Sequence, residues 1–368
     1  PPETAILNWI AKERRPTDLF LALDLPTGLH PSEGHAPGAV FSAEITVALG
    51  SVKSGCLQDQ ALPHVGRLRG APIDSGTPAP KSNADFLLPS EATRWIRPRA
   101  AHLHKHSAGI VHLWAGSTTY PGAAVLASEG ALRSGAGYVR LFTERPVTAP
   151  IPTRLPELLL TPHAEGTAPD LTAFQTQAQA LVIGPGLPSS AALEDFLRRL
   201  LSTAKVPVVL DAGALDLVAN HPEWLETTQA PVILTPHAGE LSRLVGQKVE
   251  DRGEAARVWL DRHPHTLLVA KGPHTLVASS DHAFSHNSTG GPAQATAGMG
   301  DLLAGLTGGL LATGYSPFDA ARLAVLWHGL ATDLAEQAGG PVVLASGVAN
   351  HLPAAWRTLT GKAVSVLQ

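Results

Sequence analysis

The run Asn287–Gly314, NSTGGPAQATAGMGDLLAGLTGGLLATG, is a loop of small residues that opens directly into an apolar helix. Gly290, Gly291, Gly298 and Gly300 permit positive φ or close backbone approach to a ligand. After Asp301, the residues Leu302, Leu303, Leu306, Leu310 and Leu311 recur at helical spacing on or near one face. A helix start carries unpaired N–H groups and the positive end of the helix dipole, so a glycine-rich loop before it makes an anion site. Asp301 stands at the junction. As an N-cap it would bond the N–H groups of the next turn. As a general base beside bound phosphate it would accept a proton, since a carboxyl with an ordinary pKa of about 3.9 is ionised at neutral pH. No Gly-Lys-Ser/Thr follows the glycines, so this is not a Walker P-loop.

Upstream of that run, short apolar stretches closed by turn residues alternate with helical ones. Strands are predicted at 19–25, 43–49, 109–115, 138–142, 180–184, 206–211, 231–235, 266–270 and 275–278. Helices are predicted at about 122–134, 190–203, 213–219 and 239–245. Such alternation indicates helices packed on a mostly parallel sheet with right-handed crossovers, and ligands bind at the carboxyl ends of its strands. Residues 266–278 read as a hairpin joined by Lys271-Gly272-Pro273-His274. Gly and Pro thicken from Gly66 to Pro80, which reads as a linker between a short N-terminal segment (1–80) and the main domain (81–368).

Composition sets bounds on this reading. The chain has 368 residues, 44% of them hydrophobic, enough for one large core with an appendage. A formal charge of −4 without a basic block argues against nucleic-acid coating. Cys56 is the only cysteine, so no internal disulfide forms and a reducing, cytoplasmic setting is expected. No apolar run has membrane-spanning length, and no signal-peptide core opens the chain. The chain starts Pro1-Pro2 and its only methionine is Met299, so an initiator is expected upstream. His102, His104 and His106 alternate and would share one strand face, but no Cys or second cluster completes a zinc ligand set.

The Gly298-Met299-Gly300-Asp301 run, with Asn287 and Thr289-Gly290 before it, resembles the Gly-x-Gly-Asp signature of ribokinase-like kinases. It is more similar still to the ADP/ATP-dependent NAD(P)H-hydrate dehydratases, the C-terminal half of bifunctional nicotinamide nucleotide repair enzymes. The similarity runs from about His104 to Val348 through Gly116-Ser117, Gly122-Ala123-Ala124, Gly184-Pro185-Gly186, Asp211 and Thr235-Pro236-His237-Ala238-Gly239-Glu240. It implies a ribokinase-like three-layer α/β/α sandwich with a mostly parallel sheet. It implies dehydration of hydrated NADH or NADPH (NADHX, NADPHX) at the expense of ADP or ATP with Mg²⁺. By resemblance, Ala123, Gly186 and His237 contact the hydrate, and Asp301 contacts it as catalytic base. Lys271, Gly272, Pro273, His274 and Thr275 form the loop over the nucleotide phosphates, which Asn287, Gly298 and Gly300 also bind.

Taken alone, Gly184–Gly186 also reads as an ordinary strand-to-helix turn, His237 as a loop histidine and Lys271 as a solvated hairpin lysine. The chain departs from the family pattern at Gly213, Gly291, Ala293-Gln294, Ala297 and Met299. Asp24-Leu25-Pro26-Thr27-Gly28 and Lys53 resemble the tail of the NAD(P)H-hydrate epimerase domain, a partial Rossmann-like segment. There Asp24 would meet substrate and Thr27 would help hold K⁺, with no activity expected from the segment by itself; the local reading of Asp24 is a turn cap. A homo-oligomer without nucleic-acid or membrane partners is expected. Two other functions stay open: a small-molecule kinase of the same fold, and a catalytically weak nucleotide-binding or scaffold protein.

Overall fold

The computed structural model describes residues 2–15, 17–71, 73, 84–100 and 102–361. Ten strands among them form one sheet in the order β4-β13-β12-β11-β10-β9-β8-β5-β6-β7. They are β4 Ala84–Leu87, β5 Ile110–Trp114, β6 Tyr138–Glu144, β7 Leu159–His163, β8 Ala180–Ile183, β9 Val208–Leu210, β10 Val232–Leu234, β11 Thr266–Ala270, β12 Leu276–Ala278 and β13 Phe284–Asn287. Of these, β12 runs against its neighbours, through the hairpin with β11 and the pairing with β13. The other pairings of the ten are parallel.

The sheet is buried on both faces, which is why its central strands are nearly all apolar. Along β8, Ala180 and Val182 face one layer while Leu181 and Ile183 face the other. The first layer holds helices Pro121–Arg133, Met299–Ala312, Pro317–Gly339 and Ala345–Thr360. The second holds Ala191–Thr203, Gly213–Asn220, Ala238–Val245 and Arg252–Arg262. Met299–Ala312 is covered almost all round, because it lies between the sheet and other helices. Its glycines set how close those helices come: a Cβ on Gly305 would stand 1.8 Å from the carbonyl oxygen of Ala127.

The chain enters the centre of the sheet at β5, proceeds outward through β6 and β7, then returns to β8 on the other side of β5. This reversal opens a crevice at the strand carboxyl ends between β5 and β8, where ligands of such sheets bind.

A second, parallel sheet of order β1-β2-β3 comprises β1 Leu21–Leu23, β2 Ile45–Leu49 and β3 Arg67–Ala71. Its core includes Leu29, Ala48, Cys56, Val65 and Leu68. The expected linker therefore begins later than Gly66: residues 67–71 pair with β2 over five positions. Residues 74–80 of that linker lie outside the described residues. The expected His102–His106 strand is a turn, with the imidazole of His104 bonded to Ser107 and that of His106 packed on Tyr138. Alternation does not face three imidazoles one way in a turn. Among the described residues, His30, Glu33 and His35 are the one group of three His, Cys, Asp or Glu side chains whose ligand atoms lie within 4.8 Å of one another.

Candidate active site

Three central strands, apolar inside the sheet except for Thr266 at the start of β11, are each followed by a polar residue: Asp211 after β9, Thr235 after β10 and Lys271 after β11. Their side chains converge. Asp211 Oδ1 accepts from Thr235 Oγ1 at 2.8 Å and from Lys271 Nζ at 2.7 Å. Glu240, in the first turn of the next helix, brings Oε2 within 3.8 Å of the same ammonium. The helix of the quoted run points its N-terminus at this group. A Cβ on Gly300 would stand 3.2 Å from Lys271 Nζ and 3.7 Å from Asp211 Oδ2.

Asp301 is not the cap of its helix. Gly298 is, with φ +88°, and no side chain caps the turn. The first intrahelical bond runs from Leu302 N–H to Gly298 O at 3.1 Å, so the N–H groups of residues 299–301 face outward at the positive end of the dipole. Met299 buries its side chain in the core and leaves that backbone cradle intact. Burial, then the Asp211 carboxylate, push the Asp301 carboxyl up to about 6, against the pull of Lys271. A carboxyl tuned toward neutrality next to a ready anion cradle suits proton abstraction. Burial alone would lower the Lys271 ammonium, but Asp211, Glu240 and Asp301 outweigh it and hold it above its ordinary value.

His237 forms a capping box with Glu240. Its Nδ1 accepts from Gly239 N–H at 3.0 Å and Glu240 N–H at 3.2 Å, while Glu240 Oε2 accepts from His237 N–H at 2.8 Å. An accepting Nδ1 puts the proton of the neutral ring on Nε2. Ala123 and Gly186 meet in the β5–β8 crevice: a Cβ on Gly186 would lie 2.5 Å from that of Ala123. Ser117 Oγ fixes the turn by donating to Gly186 O at 2.8 Å, and Gly184 packs on the carbonyl of Asp211.

The loop residues behave differently from one another. Asn287 is buried and spends its amide on Thr289 O, Val325 O, Thr289 N–H and Thr289 Oγ1, so it shapes the loop from within. His274, at φ +50°, holds Asn287 O through Nδ1 at 3.1 Å. Pro273 O accepts from Arg252 Nη2 at 2.7 Å, and Thr275 Oγ1 donates to Gly272 O at 2.9 Å. Gly213 is locked without a side chain, since a Cβ there would meet Leu187 O at 2.1 Å. Asp24 and Thr27 lie in the turn that follows β1 of the small sheet, where Asp24 Oδ1 accepts from Lys53 Nζ at 2.5 Å and Leu49 N–H at 3.0 Å.

Sequence reasoning assigned Asp211 and Glu240 no role, although both close the site. The available signal was a polar residue ending each of three consecutive buried strands.

This architecture, a mostly parallel sheet between two helical layers, is the ribokinase-like fold. A ribokinase-like superfamily protein from Enterococcus faecalis superposes with a TM-score of 0.67 at 24% identity, covering 78% of this chain and all of that one. The chain belongs to the NAD(P)H-hydrate dehydratase family, whose model matches residues 111–354. The bifunctional NAD(P)H-hydrate repair enzyme of Salinibacter ruber is 35% identical over 352 residues. That alignment covers 90% of this chain but 64% of its relative, so the chain spans under two thirds of that protein. The ADP/ATP-dependent NAD(P)H-hydrate dehydratase of Bacillus subtilis, co-crystallised with ATP and Mg²⁺, is 32% identical with a TM-score of 0.66. It matches over 76% of this chain and 100% of its own length.

Proposed function

We propose that this chain restores NADH and NADPH from their hydrates by phosphorylating the ring hydroxyl from ADP or ATP and eliminating phosphate. The observation that carries the reading is Asp301, a carboxyl raised to about 6, in the first turn of an uncapped helix beside Asp211 and Lys271. Hydroxide is a poor leaving group and phosphate a good one. Asp301 takes the hydroxyl proton as the ring oxygen attacks the terminal phosphorus of the nucleotide. A new P–O bond forms, and the bond to the nucleotide's bridging oxygen breaks. The ring C–O bond then breaks with loss of phosphate while the ring gives up a proton, which regenerates the reduced nicotinamide. The N–H groups of residues 299–301 face the transferring phosphoryl, where preorganised donors cost no reorganisation.

The donor set fits Mg²⁺. Three carboxylates face one ammonium at this site, and the deficit of positive charge is what a divalent cation supplies. Asp211 Oδ2 and Glu240 are hard oxygen donors of the kind Mg²⁺ takes alongside nucleotide phosphates. Bound there, Mg²⁺ would neutralise charge on the donor phosphates. In this reading Lys271 orders the carboxylates rather than reaching the phosphates, since Asp211 already holds its ammonium.

Ala123 and Gly186 floor the crevice for the hydrated ring, and His237, whose Nε2 lies 3.5 Å from Glu240 Oε1, offers its imidazole to the substrate. The loops 271–275 and 287–291 receive the adenine nucleotide. Asp24 and Thr27 mark the portion of an epimerase half, with its substrate contact and K⁺ site, that residues 1–80 carry. The test is the recovery of reduced-nicotinamide absorbance from enzymically prepared hydrate, with ADP or ATP and Mg²⁺. A nucleotide-dependent rise is expected. Accumulation of a stable phosphorylated product would instead make the chain a small-molecule kinase, and nucleotide binding with no chemistry would make it a binding protein.

A further inference from the structure

The small N-terminal sheet reaches the large one at two loops, and both are assigned above to the adenine nucleotide. In the first, Asp59 grips Arg252. Its carboxylate accepts from Arg252 Nε at 2.9 Å, from Nη2 at 2.6 Å and from the Arg252 backbone N–H at 2.9 Å. That guanidinium in turn donates to Ala270 O at 3.4 Å and Pro273 O at 2.7 Å, and it fills the space a side chain at Gly272 would need. The ring of His274, in the same loop, also meets the backbone of Gly66.

In the second, β3 sends two arginines across. Arg69 Nη1 donates to Ser288 O at 2.8 Å. Arg67 lies over Gly291, where a Cβ would come within 2.7 Å of its guanidinium, and bonds Glu336. Both arginines flank Asp333, at 3.9 and 4.0 Å, and Asp333 Oδ2 accepts the N–H of Gly290 at 3.1 Å. Residues 288–291 are therefore held on one side by helix Pro317–Gly339 and on the other by β3.

These contacts are bidentate or charge-assisted and come from one short stretch of the small unit: Arg69 ends on a loop carbonyl, Asp59 reaches the other loop through Arg252, and Arg67 packs over Gly291 while paired with Glu336 and Asp333. Bonds of that kind fix geometry more firmly than neutral ones. We propose that residues 59–69 are a positioning element for the nucleotide site. Asp59 acting through Arg252, Arg69 acting directly, and Arg67 acting by its packing over Gly291 and through Asp333, hold loops 270–273 and 288–291 in the shape that receives ADP or ATP. The small unit is then a working part of the dehydratase whatever its own chemistry. The inference rests on the nucleotide assignment made above.

The test measures ATP binding to the full chain by calorimetry with Mg²⁺, then steady-state turnover, for Arg67→Ala/Arg69→Ala and Asp59→Asn. Loss of preorganisation should weaken ATP binding and raise the nucleotide KM by about tenfold. Turnover at saturating nucleotide and the KM for hydrate should stay within about twofold. A general loss of structure would move all of these together with the unfolding temperature. Gly291→Ala should push Arg67 aside, so its effect on ATP affinity should be less than additive with Arg67→Ala. If the alanine pair fails to fold, Arg67→Lys and Arg69→Lys carry the test: each keeps the charge, loses the forked bonds and should bind ATP more weakly than the parent. ATP affinity equal to the parent in correctly folded variants overturns the inference alone. A parent chain that does not bind ATP overturns the nucleotide assignment and this inference with it.

Discussion

Asp301→Asn should make the protein more stable and nearly inactive, and the two effects have one cause. In the folded chain this carboxyl is raised from 3.8 to about 6 by burial and by Asp211. The folded state thus holds the proton more tightly than the unfolded one. Stability falls as pH rises between those values, and the loss is complete above about 6. A displacement of that size costs at most about 3 kcal/mol. The helix dipole returns roughly 0.3–1 kcal/mol to an anion in the first turn, and partial exposure reduces the cost further. The neutral amide of the variant escapes the cost, so a net gain of about 1–2 kcal/mol is expected at alkaline pH and none near pH 4.

Loss of a general base lowers turnover by about 10²–10⁴-fold. Wild-type kcat/KM should fall about tenfold per pH unit below about 6, and that limb should be missing from the variant's residual activity. Thermal unfolding at acid and alkaline pH, with pH-rate profiles of both proteins, reads all three effects. An Asp301→Asn protein that is less stable at alkaline pH, turns over near the wild-type rate or keeps the acid limb refutes the assignment.

Lys271→Met should strip Asp211, Glu240 and Asp301 of their cation. Thermal unfolding should register a loss of about 3–5 kcal/mol, the usual result of removing one partner of a buried pair, and any remaining acid limb should move above pH 6 because Lys271 now lowers the Asp301 pKa. Gly213→Asp places an acid at a position where this chain departs from the family pattern, yet a Cβ there meets Leu187 O. It should cost more than about 1 kcal/mol in stability without a gain in turnover, as unfolding and rate measurements would show. Gly186→Ala has to fit at φ +66° against Ala123. It should raise the hydrate KM by about tenfold while the nucleotide KM stays constant.

The central strands and the helices that pack on them were legible because burial on both faces leaves a continuous apolar run that turn residues bound sharply. What escaped has other physics. β3 reads Arg-Leu-Arg-Gly-Ala: only Leu68 enters a core, and the arginines serve the neighbouring unit, so local pattern resembles a solvated connection. β13 alternates in burial and its Asn287 is spent on a loop, a tertiary use that its own residues do not announce. β7 is an edge strand with Pro162 in it, tolerated because an edge leaves N–H groups unpaired. Asp301 was legible as a candidate functional residue. Its status as cap was decided by Gly298, whose positive φ starts the helix three residues before the carboxylate and so frees that carboxylate to face Asp211 and Lys271.

The electrostatics of the site argue against the simplest reading of its lysine. A loop lysine near a nucleotide suggests a point charge on phosphate. Here the Lys271 ammonium is surrounded by carboxylates and bonded to Asp211. Freeing it for a phosphate would leave Asp211 and Glu240 buried and uncompensated. It therefore stays, and its effect is to let three acids share a small volume, one of them poised near neutrality. In the proposed function, anionic nucleotide would then be met by backbone N–H groups and by a cation brought with it. This division of labour would also make the departure at Met299 tolerable: the contact proposed there is the main-chain N–H, which every residue except proline provides.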